Sequence, residues 1–344
     1  MGMGSLPEAR GSCRRRHRRC GGAGAWLLLM LASAVAAQQT AEQGARADQA
    51  AAPEQGSTAA SEVRDTARGK ARGGGSAANA TVERGRYLFH AALCGVCHTA
   101  KGGKPLAGGR AIESPFGTFY TSNITPDPDY GIGGWSDEDF VRALSEGVSP
   151  SGTSYYPAFP YTSFTKLTRE DKLALKAYLD TVEPVAQPNR PHELAWFPAW
   201  RWPIGIWKAL YFHPGTFQPD PARGDTWNRG AYLAEAATHC AECHSPRNVF
   251  GAVEQGARYS GADAGIEGGG TPNITPDKAT GIGTWTRSML AFYLEIGMDP
   301  SGDFAGGAMA HVIDEGTAKL TADDRAAIAE YILSLPPIAH QQED

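Results

Sequence analysis

Cys94-Gly95-Val96-Cys97-His98 and Cys240-Ala241-Glu242-Cys243-His244 are two copies of one pentapeptide pattern, and this pattern decides the fold. In a Cys-x-x-Cys-His segment, two thiols three residues apart can bond the two vinyl groups of one porphyrin. The adjacent histidine then reaches the iron from the proximal side. The sequence therefore predicts two covalently attached haem c groups with iron, held by Cys94, Cys97 and His98 and by Cys240, Cys243 and His244.

Two other kinds of site also use closely spaced cysteine pairs. A thioredoxin-like redox dithiol occurs in a βαβ context, and the sequence shows no such context. A structural zinc site with four thiolates would need both pairs to converge, and it does not require a histidine directly after each pair. The two histidines favour haem over both alternatives.

The N-terminal segment has the composition of a secretory signal peptide. A basic stretch at 14–19 precedes an apolar stretch at 25–31 and small residues at 34–37. The apolar stretch is shorter than the ~20 residues that a membrane span needs, which disfavours a retained anchor. The predicted signal peptide, 1–37, contains Cys13 and Cys20, so all remaining cysteines lie in the two pentapeptides. Because haem is attached to c-type apoproteins after export, both features predict a periplasmic protein in a Gram-negative bacterium.

The charge of the chain limits its partners. The net charge is −5, and removal of residues 1–37 leaves 26 basic against 36 acidic residues, a net charge near −10. A protein this acidic is not drawn to nucleic acid or to an anionic membrane by charge. The charge suits partners with basic docking surfaces, or it serves solubility alone. Membrane association is compatible with the sequence but not required by it.

A constant offset of 150 residues relates two similar parts of the chain. Asn123-Ile124-Thr125-Pro126-Asp127 recurs at 273–277, and Gly131-Ile132-Gly133-Gly134-Trp135 has its counterpart at 281–285. The stretch that precedes them, 38–80, is rich in Ala, Gly, Gln and Ser and is predicted to be a disordered linker. We therefore predict domain one at 81–187, an aromatic and proline-rich connector at 188–225, domain two at 226–338 and a tail at 339–344.

Helical signals dominate each repeat, and no strand pattern competes with them. Residues 82–92 and 227–238 lead into the pentapeptides, and Ser136, Thr168 and Thr321 are each followed three residues later by Asp, as in a capping box. Apolar residues at helical spacing predict a last helix in each repeat. The predicted fold class is all-α, with two tandem helical domains around covalent haems.

Several segments carry a resemblance to a known family: 120–126, 131–135, 139–144, 156–158 and 177–179, with their counterparts in the second repeat. Over residues 82–338 the chain resembles the periplasmic multihaem c-type cytochromes that accompany alcohol, aldehyde and gluconate dehydrogenases. The resemblance implies the small helical cytochrome c fold, the motif histidine as proximal ligand, and a methionine from the loop before the last helix as the common distal ligand. It also implies a periplasmic dehydrogenase or another reduced carrier as electron donor, and a downstream cytochrome or oxidase as acceptor.

Met309 stands where the resemblance places the distal ligand of the second haem. Met289 and Met298 are rivals, but the first falls inside a predicted helix and the second lies well upstream of the expected position. A thioether ligand stabilises ferrous iron, so ligation by His244 and Met309 predicts the higher-potential haem.

The first repeat departs from this pattern at Phe159, the residue that the 150-residue offset pairs with Met309. Phenylalanine cannot bind iron, and domain one contains no methionine. The first haem is therefore five-coordinate, bound by water, or bound by one of four other donors: His90, Tyr156, Tyr161 or Lys166.

Other aromatic residues have more than one interpretation. Trp135 and Trp285 either bond a haem propionate through the indole N–H or act as hydrophobic staples before a capped helix. His239 is predicted to face solvent. The apolar residues of the connector are expected to cover the seam between the domains, with a docking patch for a dehydrogenase or for the membrane surface as the alternative.

The sequence thus predicts a dihaem c-type cytochrome that passes single electrons from a dehydrogenase or a reduced carrier toward the respiratory chain. The chain carries no motif for a separate substrate pocket, and no catalytic residues are assigned. The alternative is a dihaem peroxidase-like enzyme or a ligand sensor that acts at an open first haem.

Overall fold

The computed structural model describes residues 71–195, 201–263 and 270–340, with side chains from residue 76 onward. The predicted signal peptide, most of the predicted linker, and Trp196, Phe197 and Trp200 of the connector lie outside these residues. The residues described all fall within one compact unit, Thr66–Asp344. The division of this unit into two haem domains remains a prediction.

Helices make up most of the described chain. The first half contains α1 (Ala71–Ala91), α2 (Cys94–His98), α3 (Asp137–Glu146), α4 (Tyr161–Phe164) and α5 (Arg169–Leu179). The connector contributes α6 (Trp202–Tyr211). The second half contains α7 (Asp225–Tyr232), which continues as a π-helical turn at Leu233–Ala237, then α8 (Arg287–Ile296), α9 (Gly307–Glu315) and α10 (Ala322–Leu333).

The start of α1 corrects the predicted linker. This helix begins at Ala71, whereas the sequence predicted disorder as far as residue 80. Ala77, Ala78 and Ala80 favour a helix more than any other residue type, so the helix before the first pentapeptide extends into the alanine-rich stretch. The linker prediction is wrong for residues 71–80.

The three predicted helix starts are confirmed. The Ser136 side chain accepts a hydrogen bond from the Asp139 backbone N–H, and the Asp139 carboxylate accepts one from the Ser136 N–H, which completes a capping box. Thr168 and Thr321 accept hydrogen bonds from the backbone N–H three residues on, at 3.1 and 3.2 Å. Each side chain satisfies one N–H that the first turn of a helix leaves unpaired.

A small sheet corrects the all-α prediction. Three antiparallel strands, β1 (Ala111–Ile112), β2 (Gly117–Tyr120) and β3 (Glu193–Leu194), lie in the order β1-β2-β3. In register, Ile112 pairs with Phe119 and Gly117 with Leu194. Strands of two to four residues are too short to show the alternation by which a strand is recognised in a sequence. Because β3 pairs with β2, the beginning of the predicted connector belongs to the fold of the first half.

The first and last helices of each half cross at a glycine. A Cβ on Gly85 of α1 would lie 1.9 Å from the carbonyl oxygen of Ala174 on α5, and a Cβ on Gly230 of α7 would lie 1.9 Å from that of Ala327 on α10. Both distances are far inside van der Waals contact. The backbones therefore approach closely only because glycine has no side chain.

The two halves contact each other through a reciprocal pair of interactions. Tyr232 of the second half donates a hydrogen bond to Asp171, a fully buried N-terminal residue of α5 that also pairs with Arg84. Tyr87 of the first half donates one to Asp324, the equivalent residue of α10. The same patch of each half thus contacts the same patch of the other, as in an isologous dimer.

The connector helix α6 contacts both halves. Lys208 donates to the carbonyl oxygens of Glu146 and Gly147, both at 2.8 Å, and Trp207 Nε1 donates to the Phe250 carbonyl at 2.9 Å. Its outer face keeps Trp202, Ile206 and Leu210 exposed. Within the described parts of the chain, no helix combines the length and the apolar character that crossing a membrane requires.

Candidate haem attachment sites

Both pentapeptides follow a residue with left-handed backbone geometry. Leu93, with φ of 56°, precedes α2, and His239, with φ of 40°, precedes the 3₁₀ turn Cys240–Glu242. A left-handed residue ends one helix and redirects the chain. Each pentapeptide therefore starts a new helical turn, set apart from the helix that leads into it.

The two motif histidines are held in the same way. Nδ1 of His98 donates to the carbonyl oxygen of Ser122 at 2.6 Å, and Nδ1 of His244 donates to that of Pro272 at 2.8 Å. A carbonyl oxygen only accepts hydrogen bonds, so the proton sits on Nδ1 and the lone pair on Nε2. Burial also lowers the pKa of both imidazoles. A neutral imidazole oriented through its Nδ1–H is the form in which histidine binds a metal.

The motif cysteines are free thiols of intermediate exposure. Burial raises the pKa of Cys94 and of Cys243 to about 12, and all four cysteines of the described chain are thiols. Two thiols on one helical turn beside an oriented imidazole fit one covalent haem c per pentapeptide. In the parts of the chain described, no three His, Cys, Asp or Glu side chains form a cluster that could hold a bare metal ion.

Two buried asparagines fix the loops that orient the histidines. Asn123 follows Ser122, donates to the Val185 carbonyl at 2.8 Å and accepts from the Thr125 N–H at 2.9 Å. Asn273 follows Pro272 and makes the same contacts with Ile338 and Thr275, at 2.7 and 2.8 Å. In the sequence these asparagines served only as marks of the repeat. In the structure they position the two loops that orient the motif histidines. The sequence signal for this role is their recurrence directly before Ile-Thr-Pro-Asp.

Met309 lies at the third position of α9, in a helix and not in the loop that the resemblance implied. Its side chain is half-buried and packed against the hydrophobic core. Met289 is 43% exposed on α8, and Met298 forms an isolated bridge with Phe304 outside that core. Ligation of the second haem by Met309 therefore remains the prediction that the packing favours.

Trp135 and Trp285 are half-buried against the core, each directly before the N-cap residue of a helix. The Trp285 ring meets Tyr293 edge to face at 5.3 Å. Among the described residues neither indole N–H has a hydrogen-bond partner. Packing before the helix and a bond to a propionate are therefore compatible roles for both tryptophans.

The position of His239 corrects the prediction that it faces solvent. Its Nε2 lies 3.4 Å from the Ala92 carbonyl oxygen, and its ring meets Phe164 edge to face at 5.5 Å. Both contacts are with the first half, and burial lowers the pKa of the imidazole. No local pattern marks this role, because the two contacts are distant in the sequence.

Three features together define a c-type cytochrome: helices that cross at a glycine, a Cys-x-x-Cys-His turn, and a histidine oriented by a loop carbonyl. Residues 82–183 match the cytochrome c family. The chain is 41% identical over 268 residues to a dihaem c-type cytochrome of Cereibacter sphaeroides, an overlap of 75% of this chain and 86% of the relative. At that identity and coverage, the chain belongs to the c-type cytochrome family that includes the Cereibacter sphaeroides protein and the cytochrome subunits of several dehydrogenases. It is therefore a haem c protein.

Two dehydrogenase subunits show the same similarity over part of their length. The cytochrome c subunit of a quinone alcohol dehydrogenase from Gluconacetobacter polyoxogenes is 38% identical over 273 residues, 77% of this chain and 58% of the relative. A nicotinate dehydrogenase subunit from Pseudomonas putida is 44% identical over 266 residues, 76% of this chain and 22% of the relative. The resemblance to dehydrogenase-associated cytochromes is confirmed, while this chain spans less than two thirds of either relative.

Proposed function

We propose that this chain is a periplasmic dihaem cytochrome c that carries single electrons from a dehydrogenase, or another reduced carrier, toward the respiratory chain. One haem is held by Cys94, Cys97 and His98, and the other by Cys240, Cys243 and His244. The observation that supports the proposal is that each half packs against the pentapeptide of the other, or against the residues directly before it, within one compact unit.

The first of these contacts joins the end of α9 to the first pentapeptide. The Glu315 carbonyl accepts a hydrogen bond from His90 Nδ1 at 3.0 Å. The next residue, Gly316, lies so close to Leu93 that a Cβ at 316 would be 2.5 Å from the leucine Cδ2. Leu93 directly precedes Cys94. The segment that follows Met309 therefore contacts the attachment site of the first haem.

The second contact joins α4 to the second pentapeptide. Thr162 and Ser163 donate to the Glu242 carboxylate at 2.7 and 2.8 Å. Arg247 pairs with the same carboxylate at 2.7 Å, and these contacts lower the pKa of Glu242 despite its burial. Glu242 stays ionised near neutral pH, so the bond between the halves persists under physiological conditions.

The names of the relatives and the charge of the chain support a dehydrogenase as the donor. The subunits of quinone alcohol dehydrogenase, gluconate 2-dehydrogenase and fructose dehydrogenase among the relatives are named as cytochrome subunits. A net charge near −10 after removal of residues 1–37 favours encounter with basic surfaces. The peroxidase and sensor alternatives gain no support from the names of these relatives.

The haem content tests the cofactor assignment. We expect two covalent haems per chain after maturation in a bacterial periplasm, measured by intact mass and by the pyridine haemochrome spectrum. Replacing Cys94 and Cys97 by Ala should leave one haem, and so should the matched replacement of Cys240 and Cys243. A chain that carries no covalent haem, or variants that keep both haems, would contradict the assignment.

Electron transfer is tested separately. The ferrous protein is mixed with a basic ferric monohaem cytochrome c in a stopped-flow instrument, and we expect rapid oxidation that slows as salt is added, because salt screens charge steering. A quinone alcohol dehydrogenase with its alcohol substrate serves as the donor in the reverse arm. Failure to exchange electrons in both arms, by a protein with two haems, would refute the relay.

A further inference from the structure

The outer face of α8 is apolar and exposed. Met289, Phe292 and Ile296 lie on one side of this helix, and each is 43% or 44% exposed. We call these three residues the α8 patch. Scattered apolar residues are common on protein surfaces, whereas a group of them on one helix face is typical of a contact surface.

The first half shows that the packing of α8 does not require this patch. The 150-residue offset pairs the outer face of α8 with charged residues of α3: Asp139, Arg142 and Glu146. The inner faces are alike, since Leu290 and Leu294 are buried in α8 as Phe140 and Leu144 are in α3. The core therefore needs only the inner face, and the apolar outer face of α8 calls for another explanation.

In the first half, the connector covers the corresponding surface. Lys208 of α6 donates to the Glu146 carbonyl oxygen at the end of α3, at 2.8 Å, and to Ser154 Oγ at 3.2 Å. The offset pairs Glu146 with Ile296. It pairs Ser154 with Phe304, which is 69% exposed. Within the described ranges both of these second-half residues stay exposed, so this surface is open to a partner molecule.

Phe292 lies between two shallow hollows. One hollow, of about 330 Å³, is lined by Met289, Phe292 and residues 298–302. The other, of about 380 Å³, lies between α8 and the start of α10, and Phe292 lines it too. Either hollow offers room for a partner side chain beside the Phe292 ring. Phe292 is therefore the expected anchor of an interface, because a few large side chains at the centre of a contact surface contribute most of the binding energy.

The charges around the α8 patch are mostly negative. Asp299 and Asp303 lie in the turn after α8, and neither has a basic partner among the described residues. Hydrogen bonds from Ser301 lower the pKa of Asp299, which keeps this carboxylate ionised. On the other side, Arg287 and Arg325 are each paired with a glutamate, at 2.7 and 2.9 Å. This rim therefore complements a basic surface.

We propose that the α8 patch is the docking surface for a basic electron-transfer protein. The inference rests on the proposed electron relay and assigns one face of the chain to it. An apolar centre that excludes water, inside a polar rim, is the usual anatomy of a protein interface. The acidic rim steers a basic partner to this face, and the patch then holds the partner after the encounter.

The test gives α8 the charged residues of α3, in the matured full chain with both haems in place. Three substitutions are combined: Met289→Asp, Phe292→Arg and Ile296→Glu. The first of them also recreates at Thr286 the capping box of Ser136 and Asp139, so the variant should fold. The chain becomes more acidic by a single charge, which preserves the attraction to a basic partner. Phe292→Ala alone is the second variant, and it adds no charge.

The probe is a basic monohaem cytochrome c. With both proteins ferric, its dissociation constant is measured by isothermal titration calorimetry. We expect the constant to rise about tenfold or more in both α8 variants, because truncation of an interface anchor commonly weakens binding by that much. Oxidation of the ferrous chain at high salt should slow in parallel, since salt screens charge steering and leaves the apolar contact.

The matched control places the same charges on the exposed face of α6: Trp202→Asp, Ile206→Arg and Leu210→Glu. These three side chains are more exposed than those of the α8 patch, so the control removes a comparable apolar surface. We expect the dissociation constant of this variant to equal that of the unsubstituted chain.

Three results would overturn the docking surface while the relay stands. The first is an unchanged dissociation constant in both α8 variants. The second is weaker binding in the α6 variant alone, which would place docking on the connector. The third is a wild-type dimer in sedimentation that the α8 substitutions dissociate, because the patch would then bind a second copy of this chain.

Failure of the relay itself has a different signature. Wild-type protein that carries two haems and exchanges electrons with neither a basic cytochrome c nor a dehydrogenase would refute the relay, and the docking surface with it. Haem content and both midpoint potentials are measured in every variant, so that a defect in haem attachment or in redox potential is distinguished from lost docking.

Discussion

Replacing Gly230 by Ala should destabilise the protein through the crossing of α7 and α10. The added Cβ would lie 1.9 Å from the Ala327 carbonyl oxygen and 2.4 Å from its carbonyl carbon. Ordinary contact between carbon atoms is about 3.5 Å, so relief of the carbon–carbon contact alone requires the helices to separate by about 1 Å. Overpacking of this kind costs about 3 kcal/mol, and the better helix propensity of alanine returns about 1 kcal/mol. We expect a net loss of about 2 kcal/mol in the free energy of unfolding.

Guanidinium unfolding of the haem-loaded protein, followed by circular dichroism at 222 nm, measures this loss. Gly205→Ala is the matched control, because Gly205 lies inside α6 and a Cβ there meets nothing within 4 Å. That variant should gain up to about 1 kcal/mol from helix propensity alone. If Gly230→Ala is as stable as the unsubstituted protein, the close approach of the two backbones is not what requires glycine at this crossing.

Three further substitutions test other parts of the structure. Burial lowers the pKa of Lys172 to about 8 from 10.5, because the charged form is disfavoured in the folded state. The free energy of unfolding should therefore rise by about 1–2 kcal/mol between pH 8 and 10.5, after allowance for solvent screening. Lys172→Met should remove that rise in unfolding titrations. Tyr232→Phe deprives the buried Asp171 of a donor and should cost about 1–3 kcal/mol in the same assay, with no change in haem content. Met309→Ala should lower the potential of one haem in a spectroelectrochemical titration, whereas Met289→Ala, at an exposed position, should leave both potentials unchanged.

Local signals in the sequence predicted the capped helices and pointed to the candidate attachment residues, but they did not predict α4, α6 or α9. The caps at Ser136, Thr168 and Thr321 were predicted because a capping interaction spans only three residues. The pentapeptides were recognised for the same reason, since their chemistry lies within five consecutive positions. The 150-residue repeat then paired Met309 with Phe159, which no single domain could have shown.

Contacts between distant segments were not predictable in this way. The pairing of β2 with β3 joins residues on either side of α3, α4 and α5, and strands this short carry no alternation. His239 looked like a surface residue because its partners, Ala92 and Phe164, belong to the other half. Asp171 and Asp324 accept hydrogen bonds from tyrosines far along the chain, and no spacing rule links such a pair.

The mirrored tyrosine–aspartate contacts have a consequence for how the two haem sites can diverge. An interface of this kind is what two identical chains make when they dimerise about a twofold axis. In such a dimer every substitution occurs twice, so a lost iron ligand is lost from both sites together. Joining the copies in one polypeptide removes that constraint, and one copy can carry phenylalanine where the other keeps methionine while the shared interface holds both in place.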